Sequence, residues 1–381
     1  MNNTRSLALD AFRGLTVALM ILVNNPGSWT EIYWPFEHAK WHGLTPTDLV
    51  FPFFLFAVGN AQALVLPRLK ESGQFFSKVI KRTLIVFFIG FFLNWFPGFV
   101  WVGPELIFKN WTWINVEGVM VGLRVMGVLQ RIALAYGASA FLIYFFEKRI
   151  LWLTGLLLLA YWGLCYLLGT GDIYSLNGWF GTPIDKAILG EVHLYQGEGI
   201  PFDPEGLMST IPSIAQVLLG YWVGSLMVRE GAKVFRKFAA LGVFFLMTGV
   251  AWHFLFPINK KIWTSSYVLT TTGLALMLLA ALIYFLDVLK KHGQWSALAQ
   301  AFGKNPLFIY VLSLFLPKLL NLIRIAAGEK FLTPLQWFYE NVCVGFPGDP
   351  KNGSFLYSLL LVAGYGLVAF LLDRKKIYVR V

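Results

Sequence analysis

Tyr33-Trp-Pro-Phe-Glu-His-Ala-Lys-Trp-His-Gly-Leu-Thr-Pro-Thr-Asp48 is a short polar link between two apolar runs, residues 15–23 and 49–66. It gathers His38, His42, Glu37 and Asp48 among aromatics and prolines. Ionisable groups are costly in lipid and usually functional there. The link therefore reads as a site at one face of a membrane, and its flanks as the helices that hold it.

The rest of the chain agrees. Of 381 residues, 57% are hydrophobic and 13% charged, where soluble domains carry roughly 25% charged residues. Mean hydropathy is +0.64. The apolar runs are continuous, unlike the short alternating segments of a β-barrel. A spanning helix needs about 20 mostly apolar residues. On that scale ten spans are expected, near 10–24, 48–66, 83–103, 116–146, 150–169, 209–228, 238–256, 266–287, 303–323 and 354–372. The expected fold is an all-α, polytopic integral membrane helix bundle forming one domain, residues 1–381. The run after the N-terminus lacks a small-residue cleavage site and reads as an uncleaved helix.

The net charge of +11 does not point to nucleic acid, because the basic residues sit in short clusters between apolar runs. Cytoplasmic loops collect lysine and arginine. With the N-terminus inside, that side takes Arg5 and Arg13, the Arg68–Arg82 cluster, Lys148 and Arg149, the Arg229–Lys237 cluster, Lys290, Lys291, Lys304, and Arg374 to Arg380. The other side takes only Lys40, Lys109, Lys186, Lys260, Lys261, Lys330 and Lys351. Both termini are expected in the cytoplasm, with the His38 link on the opposite face. Two cysteines, Cys165 and Cys343, give neither a disulfide framework nor metal-site spacing.

His38 is either an interfacial side chain capped by a carbonyl or a general base or nucleophile, since imidazole titrates near neutrality and a carboxylate can fix its tautomer. Asp48 is the candidate carboxylate, and also a candidate N-cap for the second span. His42 is the weaker histidine; with Gly43 and Pro46 breaking any helix and no third ligand nearby, no metal site is expected. Asp10 and Arg13 are spaced to pair on one helix face. Arg124 and Arg131, with Gln130 beside them, are read as two turns apart on one face of the fourth span. Glu117 lies too far along that helix to pair with Arg131. An anionic ligand is therefore expected to meet Arg131, and Arg131→Gln to weaken its binding. Asp203 and Glu205 lie ahead of the sixth span in a polar segment whose Ser and Thr either cap that helix or mark a substrate contact; Asn259, Lys260 and Trp263, ahead of the eighth, form either a solvated turn or contacts to a polar substrate beside an aromatic. Lys304 and Asn305 open the ninth span, where helix amides favour anions.

Several of these motifs resemble the heparan-α-glucosaminide N-acetyltransferase family and its bacterial NagX-type relatives. They are Ser6-Leu-Ala-Leu-Asp-Ala-Phe-Arg-Gly-Leu-Thr16, Ile21-Leu-Val-Asn-Asn-Pro-Gly27, His38 to Pro52, Gly127-Val-Leu-Gln-Arg-Ile-Ala133, Phe202-Asp-Pro-Glu-Gly206 and Phe256-Pro-Ile-Asn-Lys-Lys-Ile-Trp-Thr-Ser-Ser266. The resemblance implies a transmembrane acetyltransferase that carries acetyl groups from cytoplasmic acetyl-CoA to an amino sugar on the far side. It places the family's active histidine on His38, its asparagine on Asn24 or Asn25, and its arginine pair on Arg124 and Arg131, and it suggests a homodimer. The long lumenal region of the lysosomal enzyme has no counterpart here, so a bacterial inner-membrane enzyme acting on glucosamine or a glycan fragment is expected.

The expected partners are acetyl-CoA as co-substrate, an amino sugar or glycan fragment and the lipid bilayer, with no nucleic acid and no metal. CoA phosphates are expected near Arg124 and Arg131, and the thioester near His38. His38 either deprotonates the amine or first accepts the acetyl group. Two other readings compete: an N-acetylglucosamine transporter without chemistry, and an O-acyltransferase of a surface polysaccharide.

Overall fold

A computed structural model describes residues 6–115, 117–328 and 330–379. Arg5 and Arg380 of the basic tally lie outside the described residues. The helices in chain order are α1 (Leu7–Asn24), α2 (Val50–Glu71), α3 (Phe75–Trp95), α4 (Val128–Phe146), α5 (Ile150–Leu168), α6 (Gly181–Leu189), α7 (Leu207–Glu230), α8 (Phe235–His253), α9 (Ser265–Leu282), α10 (Gln294–Lys304), α11 (Pro306–Leu320), α12 (Pro334–Phe338) and α13 (Pro350–Arg374). Among the described residues, six helical runs are long and apolar enough to cross a membrane; two of them, Val128–Leu168 and Leu207–His253, each hold two consecutive helices. The bundle is polytopic, as expected. Its flanks carry exposed Phe88, Trp152, Leu159, Phe244 and Met247, side chains suited to lipid. Its interior holds polar pairs such as Gln62 with Ser139 and Gln216 with Thr272.

The expected boundaries fail in three places. Residues 83–103 are not one helix. α3 stops at Trp95 and Pro97-Gly98 leads into an antiparallel hairpin, Phe99–Val102 with Glu105–Phe108. Residues 116–146 are not one helix either: Thr112–Ile114 pairs with Met120–Gly122, and α4 begins only at Val128, after the extended Gly127. Arg124 thus lies outside any helix and shares no helix face with Arg131. The ninth run is broken at Asn305 into α10 and α11, with Pro306 opening the second. Apolar side chains favour burial whatever the backbone does, so composition alone did not reveal these breaks.

Two close crossings set the frame of the site. α2 meets α7 where a Cβ on Gly59 would lie 2.0 Å from the Val217 carbonyl oxygen, and one on Gly220 2.2 Å from that of Phe56. Small residues let membrane helices approach this closely. α1 meets α10 in the same way, through Gly14 against Ala299 and Gly303 against Asp10. Helices α1 and α2 are thereby clamped from both sides, and the link between them carries His38.

Candidate active site

The link closes on Asp48. Thr45 caps a 3-10 turn, Pro46–Leu49, that runs into α2, and Asp48 completes the reciprocal capping box. Its Oδ2 accepts the amides of Ala39 and Thr45, each at 3.1 Å, and lies 3.0 Å from the Thr45 hydroxyl. Oδ1 is left for His38 Nδ1, at 2.7 Å. Tyr267 donates its hydroxyl to the Asp48 carbonyl at 2.5 Å. Asp48 is therefore both cap and partner of His38. It is 1% exposed while the His38 side chain is 42% exposed, the arrangement of a buried orienting carboxylate and an accessible imidazole. With Oδ1 taking Nδ1–H, Nε2 keeps its lone pair.

The third member comes from the α8–α9 link. Lys260 Nζ lies 3.0 Å from His38 Nδ1, 3.4 Å from Nε2 and 3.4 Å from Asp48 Oδ1. Burial pulls the Lys260 pKa down, against the raising effect of Asp48 and Glu205. His42 stands apart: its Nδ1 is 3.4 Å from Asn259 Nδ2, and burial lowers its pKa.

A cavity of about 130 Å³ opens beside this group, lined among others by Asn24, His38, Thr47, Phe54, Ile132, Glu205, Lys260 and Tyr310. Asn24 lines it and Asn25 does not; the Asn25 amide instead caps α1 by donating to the Ile21 carbonyl at 2.9 Å. A second cavity of about 100 Å³ lies toward the other end of α1 and α2, lined by Arg13, Gln62, Arg82, Tyr136 and apolar neighbours. Phe54 and Ile132 line both cavities. Arg13 keeps the expected pair with Asp10, and Arg82 lies over the Tyr136 ring at 5.0 Å.

Both arginines of the expected pair meet groups of the protein itself. Arg124 donates Nε and Nη2 to Asp203 at 2.9 and 2.6 Å, and Nη2 also to Glu205. Burial works against its charge, and the two acids outweigh it and raise its pKa. Arg131 is fully buried. Its Nη2 donates to the Pro204 carbonyl and the Ser209 hydroxyl, and its guanidinium lies 5.0 Å from the Trp263 ring. Residues 203–209 thus meet one guanidinium nitrogen of Arg131, while its Nε and Nη1 are buried without a hydrogen-bond partner among the described residues. That segment, the residues leading into α7 and its first turn, folds back over α4, a contact that residue spacing within one helix does not reveal.

Other expected contacts are corrected with it. Asp203, Asn259 and Trp263 are buried at 1%, 0% and 1% exposure and do not line the cavity. Gln130 is also buried, donating to the Val125 carbonyl at 3.0 Å. Lys304 binds Asp373 at 2.7 Å, and Asn305 ties down the C-terminal segment through Ile377 and Val379. Glu205 and Lys260 remain at the cavity. Tyr310 and Arg82 also line the cavities; nothing in the apolar run of the first, or in the basic cluster of the second, marks them in the sequence.

The site is thus a histidine–carboxylate–lysine group at one end of a membrane helix bundle. No family model matches the chain. Two curated proteins are similar to it across 98% of its length at 28% identity, the heparan-alpha-glucosaminide N-acetyltransferases of Mus musculus and Homo sapiens. The chain spans about 60% of the length of these relatives. Both relatives are mammalian, which overturns the expected bacterial inner-membrane placement; the integral membrane placement stands.

Proposed function

We propose that this chain is a membrane-embedded acetyltransferase that moves the acetyl group of acetyl-CoA to the amine of a glucosamine-type sugar. The observation that carries the reading is the His38–Asp48 pair opening onto a cavity that abuts a second, arginine-rimmed one across Phe54 and Ile132. Arg13 and Asn24 are eleven residues apart on α1, roughly 16 Å along its axis at about 1.5 Å per residue. An extended pantetheine arm can bridge such a gap, leaving its phosphates near Arg13 and Arg82 and its thioester near His38. The charge bias puts the arginine end in the cytoplasm and the His38 end on the far side. Phe54 and Ile132 must part for the arm to pass.

Asp48 holds His38 with Nε2 free to take a proton from the sugar amine as it attacks. Asn24, on the cavity wall, is placed to donate to the thioester carbonyl. Glu205, on the same cavity wall, presents a carboxylate that can accept a hydrogen bond from the neutral amino sugar. General-base assistance of this kind contributes about 10²–10⁴ in rate. The test is His38→Ala in purified protein, with acetylation of glucosamine by acetyl-CoA followed by mass spectrometry. A fall of about a hundredfold or more is expected; near wild-type turnover removes His38 from the mechanism. Uptake of labelled sugar by proteoliposomes lacking acetyl-CoA, with no acetylation, would replace the enzyme reading by transport.

A further inference from the structure

Lys260 sits on a turn built to hold it. Asn259 Oδ1 accepts the amides of Lys261 and Ile262 at 2.8 and 3.1 Å, and the Asn259 amide donates to Thr264 Oγ1 at 3.0 Å. Trp263 and Thr264 close the turn onto the carbonyls of Lys260 and Asn259, and Gly43 ties the His38 link to it through the Ile258 carbonyl at 2.8 Å. Trp263 has φ +52°, a left-handed conformation uncommon for a bulky side chain. Such strain persists only where the surroundings over-determine it, and it clusters at active sites. Here the indole is wedged between Arg131 and Phe51, 5.0 Å from each.

The two neighbouring lysines are treated differently. Lys261 is neutralised by Glu198 at 2.5 Å. Lys260 reaches the cavity, where Asp48 already serves other donors. A partner on the in-plane lone pair of one imidazole nitrogen lies far from the other nitrogen. Nζ is nearly equidistant from the two, so it lies over the face of the His38 ring and leaves the Nε2 lone pair open.

We propose that Lys260 is a further catalytic residue, whose ammonium takes up the negative charge that builds on the thioester oxygen as the amine attacks. This rests on the acetyltransferase reading above. The new C–N bond pushes the carbonyl π pair onto oxygen, facing Lys260. His38 Nε2 takes the proton from nitrogen. The oxygen pair then returns, the C–S bond breaks with its electrons on sulfur, and His38 gives its proton to the thiolate. Lys260 keeps its protons throughout. A fixed donor aimed at developing charge in a site shielded from water is a large contributor to catalysis.

The experiment compares wild type, Lys260→Met and Lys260→Arg, purified in detergent, for kcat and KM with acetyl-CoA and glucosamine. For Lys260→Met, kcat is expected to fall by about 10²–10³, the cost of removing one oxyanion donor, with the sugar KM changed less than about threefold. Lys260→Arg is expected to recover part of the loss. If Lys260→Met does not fold, Lys260→Cys alkylated with bromoethylamine restores an ammonium; the native cysteines, Cys165 and Cys343, are buried. Recovery of kcat on alkylation supports the role. A Lys260→Met kcat within threefold of wild type, a raised sugar KM at unchanged kcat, or alkylation without recovery overturns it while leaving the acetyltransferase reading intact. Wild-type protein that transfers no acetyl group sinks both.

Discussion

Asp48→Asn separates the two tasks of this carboxylate. The substitution keeps one oxygen, which can stay where Oδ2 now accepts the amides of Ala39 and Thr45, so the capping turn survives. The new amide nitrogen faces His38 Nδ1, 2.7 Å away, and Lys260 Nζ, 3.4 Å away. It is a donor where both neighbours need an acceptor. His38 can meet it only by turning Nδ1 into an acceptor and carrying its proton on Nε2, the wrong tautomer for a base. In serine proteases the same exchange at the triad aspartate, a worked case, lowers kcat about 10⁴ while the geometry stays intact. A fall of about 10³–10⁴ is expected here, equivalent to roughly 4–5 kcal/mol at about 1.36 kcal/mol per decade. Lys260 also loses its anion, so about 1–3 kcal/mol of stability should go with it. Glucosamine acetylation by purified protein reads the first effect, and a melting curve the second. Turnover within tenfold of wild type, in a protein that melts normally, would refute the assignment of Asp48 as the residue that sets the His38 tautomer.

Asn24→Ala should lower kcat by about 10²–10³ if its amide meets the thioester oxygen, whereas Asn25→Ala should cost only one hydrogen bond at the C-terminal end of α1, about 0.5–1.5 kcal/mol; equal effects on turnover would mean that the cavity geometry chose wrongly. Arg82→Gln should weaken acetyl-CoA binding about tenfold, since a charge-assisted hydrogen bond is worth about 1.5–3 kcal/mol; isothermal titration giving an unchanged Kd would remove the cofactor phosphates from that end. Asp185, which accepts the amides of Leu207 and Met208 at the start of α7, is pushed by burial from 3.8 up to about 7. The folded state therefore holds its proton more tightly than the unfolded one. Its stabilising effect is complete below 3.8 and is lost as pH rises through about 7. Wild-type Tm should fall between about pH 4 and 7 and level off above that, and that of Asp185→Asn should not; parallel curves would exclude Asp185 as the source.

The sequence by itself determined the medium and which polar side chains one short link brings together. Long apolar runs have one economical solution in lipid, the helix, because the backbone must satisfy its own polar groups. A histidine ten residues from an aspartate, in a link that prolines keep short, brought His38 and Asp48 within reach without any tertiary fold. Asp10 with Arg13 was readable for the same reason, being set by one turn of helix.

Everything that depended on a second segment was left to tertiary structure. Arg131 needs a counter-charge, and the sequence showed the need without the supplier. Residues 203–209 come back across more than seventy residues to meet its Nη2, and its Nε and Nη1 stay without a hydrogen-bond partner among the described residues. Trp263 and Asn259 looked like substrate contacts because aromatic and amide groups recognise sugars. Folded, they hold Lys260, and only packing distinguishes the residue that is displayed from those that display it. Asn24 and Asn25 are equivalent in composition. A helix turn of roughly 100° per residue sends one to the cavity wall and the other to the cap.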